Sequence, residues 1–193
     1  MKRRAAQSSE RLNSLVESLL DVSRIATGRF ALDVREFDLV DALRRLVEQL
    51  QPAAERSGCD VSFEPIEPSI VGRWDRLRLE QVISNLLANA MKYGAGRPIL
   101  LSAGQHEGGV VVEVRDHGPG IAVTDLPRIF GRFERAAPIR NYGGLGLGLY
   151  LIREIVDAHG GRVMAENAEG GGALFRVHLP LAAPPPDTTP QAN

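Results

Sequence analysis

The stretch Asp75-Arg-Leu-Arg-Leu-Glu-Gln-Val-Ile-Ser-Asn85-Leu-Leu-Ala-Asn89-Ala-Met-Lys92-Tyr93 decides how this chain folds. Leu79, Val82, Ile83, Leu86, Leu87 and Ala90 recur at three- and four-residue steps, an unbroken apolar stripe of helical period. Asn85, Asn89 and Lys92 form a second, polar stripe at i, i+4 and i+7. At about 100° per residue it lies roughly a third of a turn from the centre of the first. A helix packed on a sheet buries the leucines and presents the second stripe along the edge of the packed layer. A solvated polar face is the plain alternative for those three residues taken alone.

Working outward, residues Ser8 to Ala26 read as one helix carrying Leu12, Leu15, Val16, Leu19, Leu20, Val22 and Ile25. Its apolar stripe calls for a partner helix, and Thr27-Gly28 supplies a stop. Arg29 to Phe37 looks extended, and Asp38 caps a helix running to about Ser57. Short strands are expected at Asp60 to Glu64 and Ser69 to Gly72. Beyond the central helix, Ile99 to Gln105 and Val110 to Asp116 read as a hairpin. Ile121 to Gly144 has no sustained period and reads as a long functional loop. A helix from about Gly146 to His159 follows, then strands at Arg162 to Glu166 and Ala173 to Leu179. After Pro180 the proline-, alanine- and threonine-rich residues read as a disordered tail.

Bulk properties narrow the classes. At 193 residues the chain can bury a core, and its length suits one domain plus an appendage. A net charge of −1 gives no basic field for nucleic acid or anionic membrane, so no nucleic-acid partner is expected. The single cysteine, Cys59, excludes an internal disulfide framework, suits a reducing compartment, and reads as a small buried residue. No apolar run approaches membrane-spanning length. Lysine occurs only at Lys2 and Lys92, which draws attention to the latter.

Two further segments carry chemistry. Asp116-His-Gly118-Pro-Gly120 ends a strand. A carboxylate there can accept from an exocyclic amine such as that of adenine, with Gly118 and Gly120 letting backbone approach a ring. An ordinary strand-ending turn is the bland reading. Gly143-Gly-Leu-Gly-Leu-Gly148-Leu149 runs straight into a helix, so backbone N–H groups and a helix N-terminus can hold phosphates. It is neither a Walker A loop nor a Rossmann loop; a hinge is compatible with it. Amide oxygens at Asn85 and Asn89 suit Mg²⁺, which keeps waters and binds substrate phosphates. Lys92 can neutralise phosphate, and Tyr93 offers a ring near a base or ribose. The three segments together make ATP the expected ligand.

In order and residue type these segments resemble the ATP-binding catalytic domain of sensor histidine kinases, within the gyrase/MutL/histidine-kinase group. Asn85 to Tyr93 resembles the N box, Asp116 to Gly120 the first glycine box, Phe130-Gly-Arg-Phe133 the F box and Gly144 to Leu149 the second glycine box. Arg11-Leu through Ile25 resembles the second helix of the dimerisation hairpin, and the likeness covers about residues 8 to 181. It implies an α+β fold: a two-layer α/β sandwich, a mixed sheet with helices on one face, preceded by a single long helix. The expected division is hairpin remnant 1–28, ATP-binding catalytic domain 29–181 and tail 182–193. It implies Asn89 as Mg²⁺ ligand with Asn85 beside it, Lys92 and Arg132 near phosphates, Asp116 on adenine, and a lid from Ile121 to Gly143. Tyr93, Gly118, Gly120, Ile121, Phe133, Gly144, Leu145, Gly146, Leu147, Gly148 and Leu149 complete the expected nucleotide-contacting set. Implied partners are ATP or ADP, an acceptor-helix hairpin, a response regulator indirectly, and a second copy once the hairpin is complete. The implied location is cytoplasmic, with a parent protein that can be membrane-anchored.

Two departures shape the function. Where gyrase and MutL relatives carry a glutamate that activates water, this chain has Asn85, an amide that accepts no proton at neutral pH. Loss of a general base costs roughly 10²–10⁴-fold in rate, so Asn85 favours phosphoryl transfer over hydrolysis. Glu80 lies about 140° round the helix and is no substitute. The second departure is that none of His106, His117, His159 and His178 has the context of an acceptor histidine, an acidic residue followed in turn by a proline. The acceptor is therefore expected outside this chain, with the sequence a piece of a longer kinase rather than a natural acceptor-free form. The rivals are a non-catalytic nucleotide-binding module, a gyrase-type conformational ATPase, and a serine kinase restraining a sigma factor; the glutamate usual in the last two counts against them. Leu145 stands where the family often has Ser or Thr and removes one hydroxyl from the phosphate loop.

Overall fold

The computed structural model describes residues 16, 19–28, 30–94, 96–134 and 146–184. Residues 19–26 are helical (α1), within the expected first helix; residues 8–15 lie outside the described residues. There follow β1 (Arg35–Asp38), α2 (Leu39–Ser57), β2 (Val61–Pro65), β3 (Val71–Trp74), α3 (Arg76–Tyr93), β4 (Ile99–His106) and β5 (Gly109–Arg115). The order ends with α4 (Gly148–Ala158), β6 (Arg162–Asn167) and β7 (Ala173–Pro180).

Strands β2-β4-β5-β7-β6 form one sheet in which only β2 and β4 run parallel. Alternation sets its two faces. Ile99, Leu101, Val110, Val112, Val114, Phe175, Val177 and Leu179 are buried under the helices, while Ser102, Glu113 and Arg176 lie partly exposed on the other side. Helices α2, α3 and α4 all pack on that one face, so the expected two-layer α+β sandwich is present. β1 and β3 pair separately as an antiparallel ribbon.

Helix α3 buries Leu79, Val82, Ile83, Leu86, Leu87 and Ala90, the whole predicted stripe. Each large aliphatic side chain contributes roughly 1.5–3 kcal/mol when fully buried, so the stripe sets the helix's rotation and leaves Asn85 and Asn89 no freedom to turn away. Asp75 begins it as N-cap, its carboxylate accepting from Arg78 N–H at 3.1 Å and Asp33 N–H at 2.9 Å. Asp38 caps α2 in the same way through Val40 N–H at 2.9 Å.

Three of the boundaries that differ from expectation have a clear local reason. The third strand begins at Val71 rather than Ser69, because Ile70 spends its backbone groups on the start of α2: its N–H on Asp38 and its carbonyl on Leu39 N–H. Helix α4 begins at Gly148 rather than Gly146, whose φ of +70° is incompatible with a right-handed helix. Residues 181–184 are not loose: Arg73 N–H donates to Leu181 O at 2.8 Å and Ala183 N–H to Arg73 O at 2.9 Å, adding a rung beside β3. Residues 185–193 lie outside the described residues. Trp74, fully buried, donates from Nε1 to Pro180 O at 2.7 Å and ties the ribbon to the end of the sheet.

The apolar residues of α1 face two ways. Val22 is buried against Leu147 and Leu151, with Ile25 and Tyr150 alongside, whereas Val16, Leu19 and Leu20 are exposed. Asp21, buried beside Val22, accepts from Arg78 Nη1 at 2.7 Å and Gln81 Nε2 at 3.1 Å. One face of α1 therefore packs on the helical layer, and Val16, Leu19 and Leu20 on the other are exposed.

His159, completely buried, joins the end of α4 to the start of α3. Its Nε2 accepts from Asp75 N–H at 3.1 Å, so the proton sits on Nδ1, which donates to Ile155 O at 2.7 Å. Burial pushes its pKa below the ordinary histidine value, against smaller opposing effects of the Ile155 carbonyl and Asp75. The unfolded chain then binds this proton more readily, so stability falls as pH drops below about 6.5 and is unaffected above it. An NMR titration of the folded protein is expected to give a His159 midpoint below 6.5; a midpoint at or above that value would contradict the tautomer and the sign.

Candidate nucleotide site

Seating α3 by its leucines places Asn85 and Asn89 half-buried at the edge of the layer. Among the described residues neither amide has a hydrogen-bond partner. One turn on, Lys92 Nζ donates to the Tyr93 hydroxyl at 3.1 Å and lies 4.8 Å from that ring's centre. Glu80 is engaged by Arg76 Nε at 2.7 Å, away from this stripe. Among the described residues no group of three or more His, Cys, Asp and Glu could hold a metal ion. The donor set available to a divalent cation is thus a pair of neutral amide oxygens, which fits Mg²⁺ only if a ligand's phosphates complete the shell.

The end of α3 abuts the strand-ending carboxylate. A Cβ on Gly94 would lie 3.4 Å from Asp116 Cβ, and one on Gly118 only 2.7 Å from Tyr93 O. Segments that sequence could only list in order are therefore in contact. Asp116 is 5% exposed. Its Oδ1 accepts from Gly118 N–H at 2.8 Å and Ala173 N–H at 3.1 Å. Oδ2 has no donor among the described residues, and a buried carboxylate oxygen of this kind is a strong acceptor for an amine. His117 is fixed by Nδ1 to Pro98 O at 2.8 Å, and Arg97 Nη1 donates to its carbonyl.

Sequence reasoning missed the opposite wall. Gly170, Gly171 and Gly172 all have positive φ, and a Cβ on Gly172 would lie 1.9 Å from Asp116 O. This turn between β6 and β7 is pressed directly onto the carboxylate's backbone. The run Gly170-Gly-Gly172 was the available signal, since three successive glycines before a strand mark close backbone approach. Asn167, also missed, holds Ile121 by both of its backbone groups.

The F box divides its roles. Phe130 packs edge-on to Phe175 in the core, with centroids 6.4 Å apart. Arg132 and Phe133 are exposed, the guanidinium 5.2 Å from the ring centre, and Phe133 adopts φ +64°. Gly146 closes on this box: a Cβ there would lie 2.7 Å from Glu134 O. Residues 133–134 and Gly146 are therefore in contact. Arg128 braces the near end, donating to Asp125 Oδ1 at 2.6 Å and Glu134 Oε2 at 3.1 Å. Gly144, Leu145 and residues 135–143, the last part of the expected lid, lie outside the described residues.

From Gly146 the chain enters α4 through Leu147, buried, with no side-chain cap hydrogen bond. The N–H groups of Gly148, Leu149 and Tyr150 thus head an uncapped helix, the arrangement that receives anions. Burial pushes the Tyr150 phenol up and Glu154 adds to this, while Arg132 opposes it, which puts Arg132 near this first turn.

Residues 74–183 match the family of histidine kinase-, DNA gyrase B- and HSP90-like ATPases. The signal transduction histidine-protein kinase AfsQ2 of Streptomyces coelicolor is 36% identical over 179 residues, covering 92% of this chain and 32% of its own length. The alginate biosynthesis sensor protein KinB of Pseudomonas aeruginosa is 37% identical over 172 residues, 89% of this chain and 29% of its own. Full-length ShkA in complex with AMPPNP superposes with a TM-score of 0.81 at 29% identity, covering 95% of this chain and 40% of that one. The catalytic domain of the histidine kinase ThkA gives 0.70 at 28%, covering 78% and 99%. The chain belongs to this ATPase family. Within it, the chain is the ATP-binding catalytic domain of a histidine kinase. It spans about a third of the length of the curated relatives it matches.

Asp116 yields a direct test. In Asp116→Asn the amide oxygen can keep the Gly118 and Ala173 bonds, which turns the NH₂ toward the ligand's amine, donor against donor. Calorimetry is expected to show ATP binding weakened by roughly ten- to hundredfold, with the thermal midpoint little changed and the preference for ATP over GTP reduced. Unaltered ATP affinity would remove Asp116 from base recognition.

Proposed function

We propose that this domain binds Mg·ATP and presents the γ-phosphate to a histidine outside the chain, on the dimerisation hairpin of a kinase in a two-component signalling system. The observation that carries the reading is Asn85, in the position where water-activating relatives have a glutamate. The amide cannot serve as general base, and Glu80, the nearest carboxylate along α3, is paired with Arg76. A site built this way favours transfer to a strong nucleophile over hydrolysis.

The residues divide the work of positioning and charge neutralisation, which dominate phosphoryl transfer. Asp116 accepts from the adenine amine. Asn89, with Asn85 beside it, offers amide oxygens to Mg²⁺, whose charge would neutralise the phosphate oxygens. Lys92 and Arg132 add positive charge, and the uncapped start of α4 supplies backbone donors. An imidazole nitrogen of the acceptor attacks the γ-phosphorus in line, the bond to the β–γ bridging oxygen breaks, and ADP departs. The exposed Val16, Leu19 and Leu20 support a second hairpin helix as partner, with homodimerisation through the completed hairpin. A response regulator would then take the phosphoryl group from the histidine; ThkA is solved in complex with the response regulator TrrA. Cytoplasm is the matching compartment, given the free Cys59. Among the described residues, no helix is long and apolar enough to cross a membrane.

Two measurements test this. Calorimetry with and without Mg²⁺ is expected to show ATP and ADP binding that Mg²⁺ tightens. In Asn89→Ala that tightening is expected to fall at least about tenfold. Labelled ATP mixed with the chain and a separately supplied hairpin is expected to place label on the hairpin's histidine. No nucleotide binding at millimolar concentration, or steady ATP hydrolysis by the chain alone, would overturn the proposal.

A further inference from the structure

Asn167 is the last residue of β6, an edge strand paired only with β7. Its side chain is exposed, yet it makes two hydrogen bonds to one residue: Oδ1 accepts from Ile121 N–H at 2.7 Å and Nδ2 donates to Ile121 O at 2.8 Å. A backbone N–H and C=O satisfied together by one amide reproduce a ladder rung where no strand exists. Ile121 is the first residue beyond the glycine box and the first of the long loop.

The space around the amide is committed to this contact. Gly120 has φ +76°, and a Cβ there would lie 2.6 Å from Asn167 Oδ1. Packing against Asn167 therefore demands that glycine before any ligand is considered. The β6–β7 turn grips the same segment at its other end. Ala173 N–H donates to Asp116 Oδ1 at 3.1 Å, Gly172 lies against Asp116 O, and Arg115 Nη2 donates to Glu169 O at 2.7 Å. The turn is itself closed by Ala168 N–H to Gly172 O at 2.9 Å. Residues 117–120 thus form a short arch between two anchors, Asp116 and Ile121, both held by one hairpin.

We infer that Asn167 is a positioning residue for base recognition: by clamping Ile121 it fixes the arch against which the adenine lies. The role acts through Ile121 and the glycine box rather than by contact with the nucleotide, and it rests on the nucleotide reading given above. Removing the amide leaves Asp116 in place but lets the far end of the arch move. The base should then be read less sharply, while the phosphate-binding start of α4 is untouched. A merely structural lock would lower stability alike for every ligand and leave discrimination between bases unchanged.

The test compares the whole chain with Asn167→Ala and with Asn167→Asp, which keeps the acceptor for Ile121 N–H but loses the donor to its carbonyl. Calorimetry is expected to show ATP and ADP affinity about tenfold weaker in Asn167→Ala, an intermediate loss in Asn167→Asp, and a smaller ATP-to-GTP preference in both. Amide exchange at Ile121 in the nucleotide-free wild type is expected to be slow, and at least tenfold faster in Asn167→Ala. Wild-type affinity and preference retained in a folded Asn167→Ala would overturn the inference, as would an unprotected Ile121 amide in the wild type. If Asn167→Ala does not fold, Asn167→Asp decides by the same two readouts. If the wild type binds no adenine nucleotide, the functional reading fails by itself, and the positioning role for base recognition fails with it, even where Ile121 is protected.

Discussion

One helix with two incompatible faces governs this domain. The apolar face of α3 must be buried, and burying it on the sheet leaves the amides of Asn85 and Asn89 a single place to go. The same seating brings the helix's last turn against Asp116, so the groups proposed to face the metal and the base are set by one packing event. Ordinary core packing thus performs the registration that the site requires, since close-packed interiors tolerate little sliding.

The rest of the fold secures the two ends of that helix. At its start, Asp75 receives Asp33 and Arg78 on its carboxylate and offers its own N–H to buried His159. That histidine belongs to the end of α4, so α3 and α4 are tied at the end remote from the glycine boxes. Arg78 extends the tie to α1 through Asp21, and Val22 of α1 lies on Leu147 of the second glycine box. Helix α1 therefore packs on a side chain of the segment whose backbone N–H groups are proposed to hold phosphates.

At the other end, the hairpin of β6 and β7 does what no single strand could. Its glycine turn fits under Asp116 and its Asn167 reaches Ile121, so an arch without regular structure is held at both feet. This lets a loop proposed to read the base stay irregular while its backbone remains placed. Asp125, Arg128 and Glu134 brace the next stretch in the same spirit, with side chains substituting for absent ladder bonds.

Periodicity made α3 and the β4–β5 hairpin legible, because burial of an apolar face repeats along the chain as a local signal; the one-sided layer was implied by the family resemblance instead. The order of Asn85, Asn89, Asp116 and Gly146 to Gly148 likewise pointed to a nucleotide-binding domain. What the chain's order left open were contacts between distant residues: Gly172 under Asp116, Asn167 on Ile121, His159 on Asp75, and Arg78 on Asp21. Each depends on a hydrogen bond or a missing Cβ across a separation that no local period encodes. Even the glycines changed meaning, since Gly118 and Gly120 make room for Tyr93 and Asn167 within the protein before they make room for any base. By itself, then, the sequence determined which helices and strands form and which groups can do chemistry. Only the tertiary structure decided which groups meet, because that is set by how three separately amphipathic helices share one sheet.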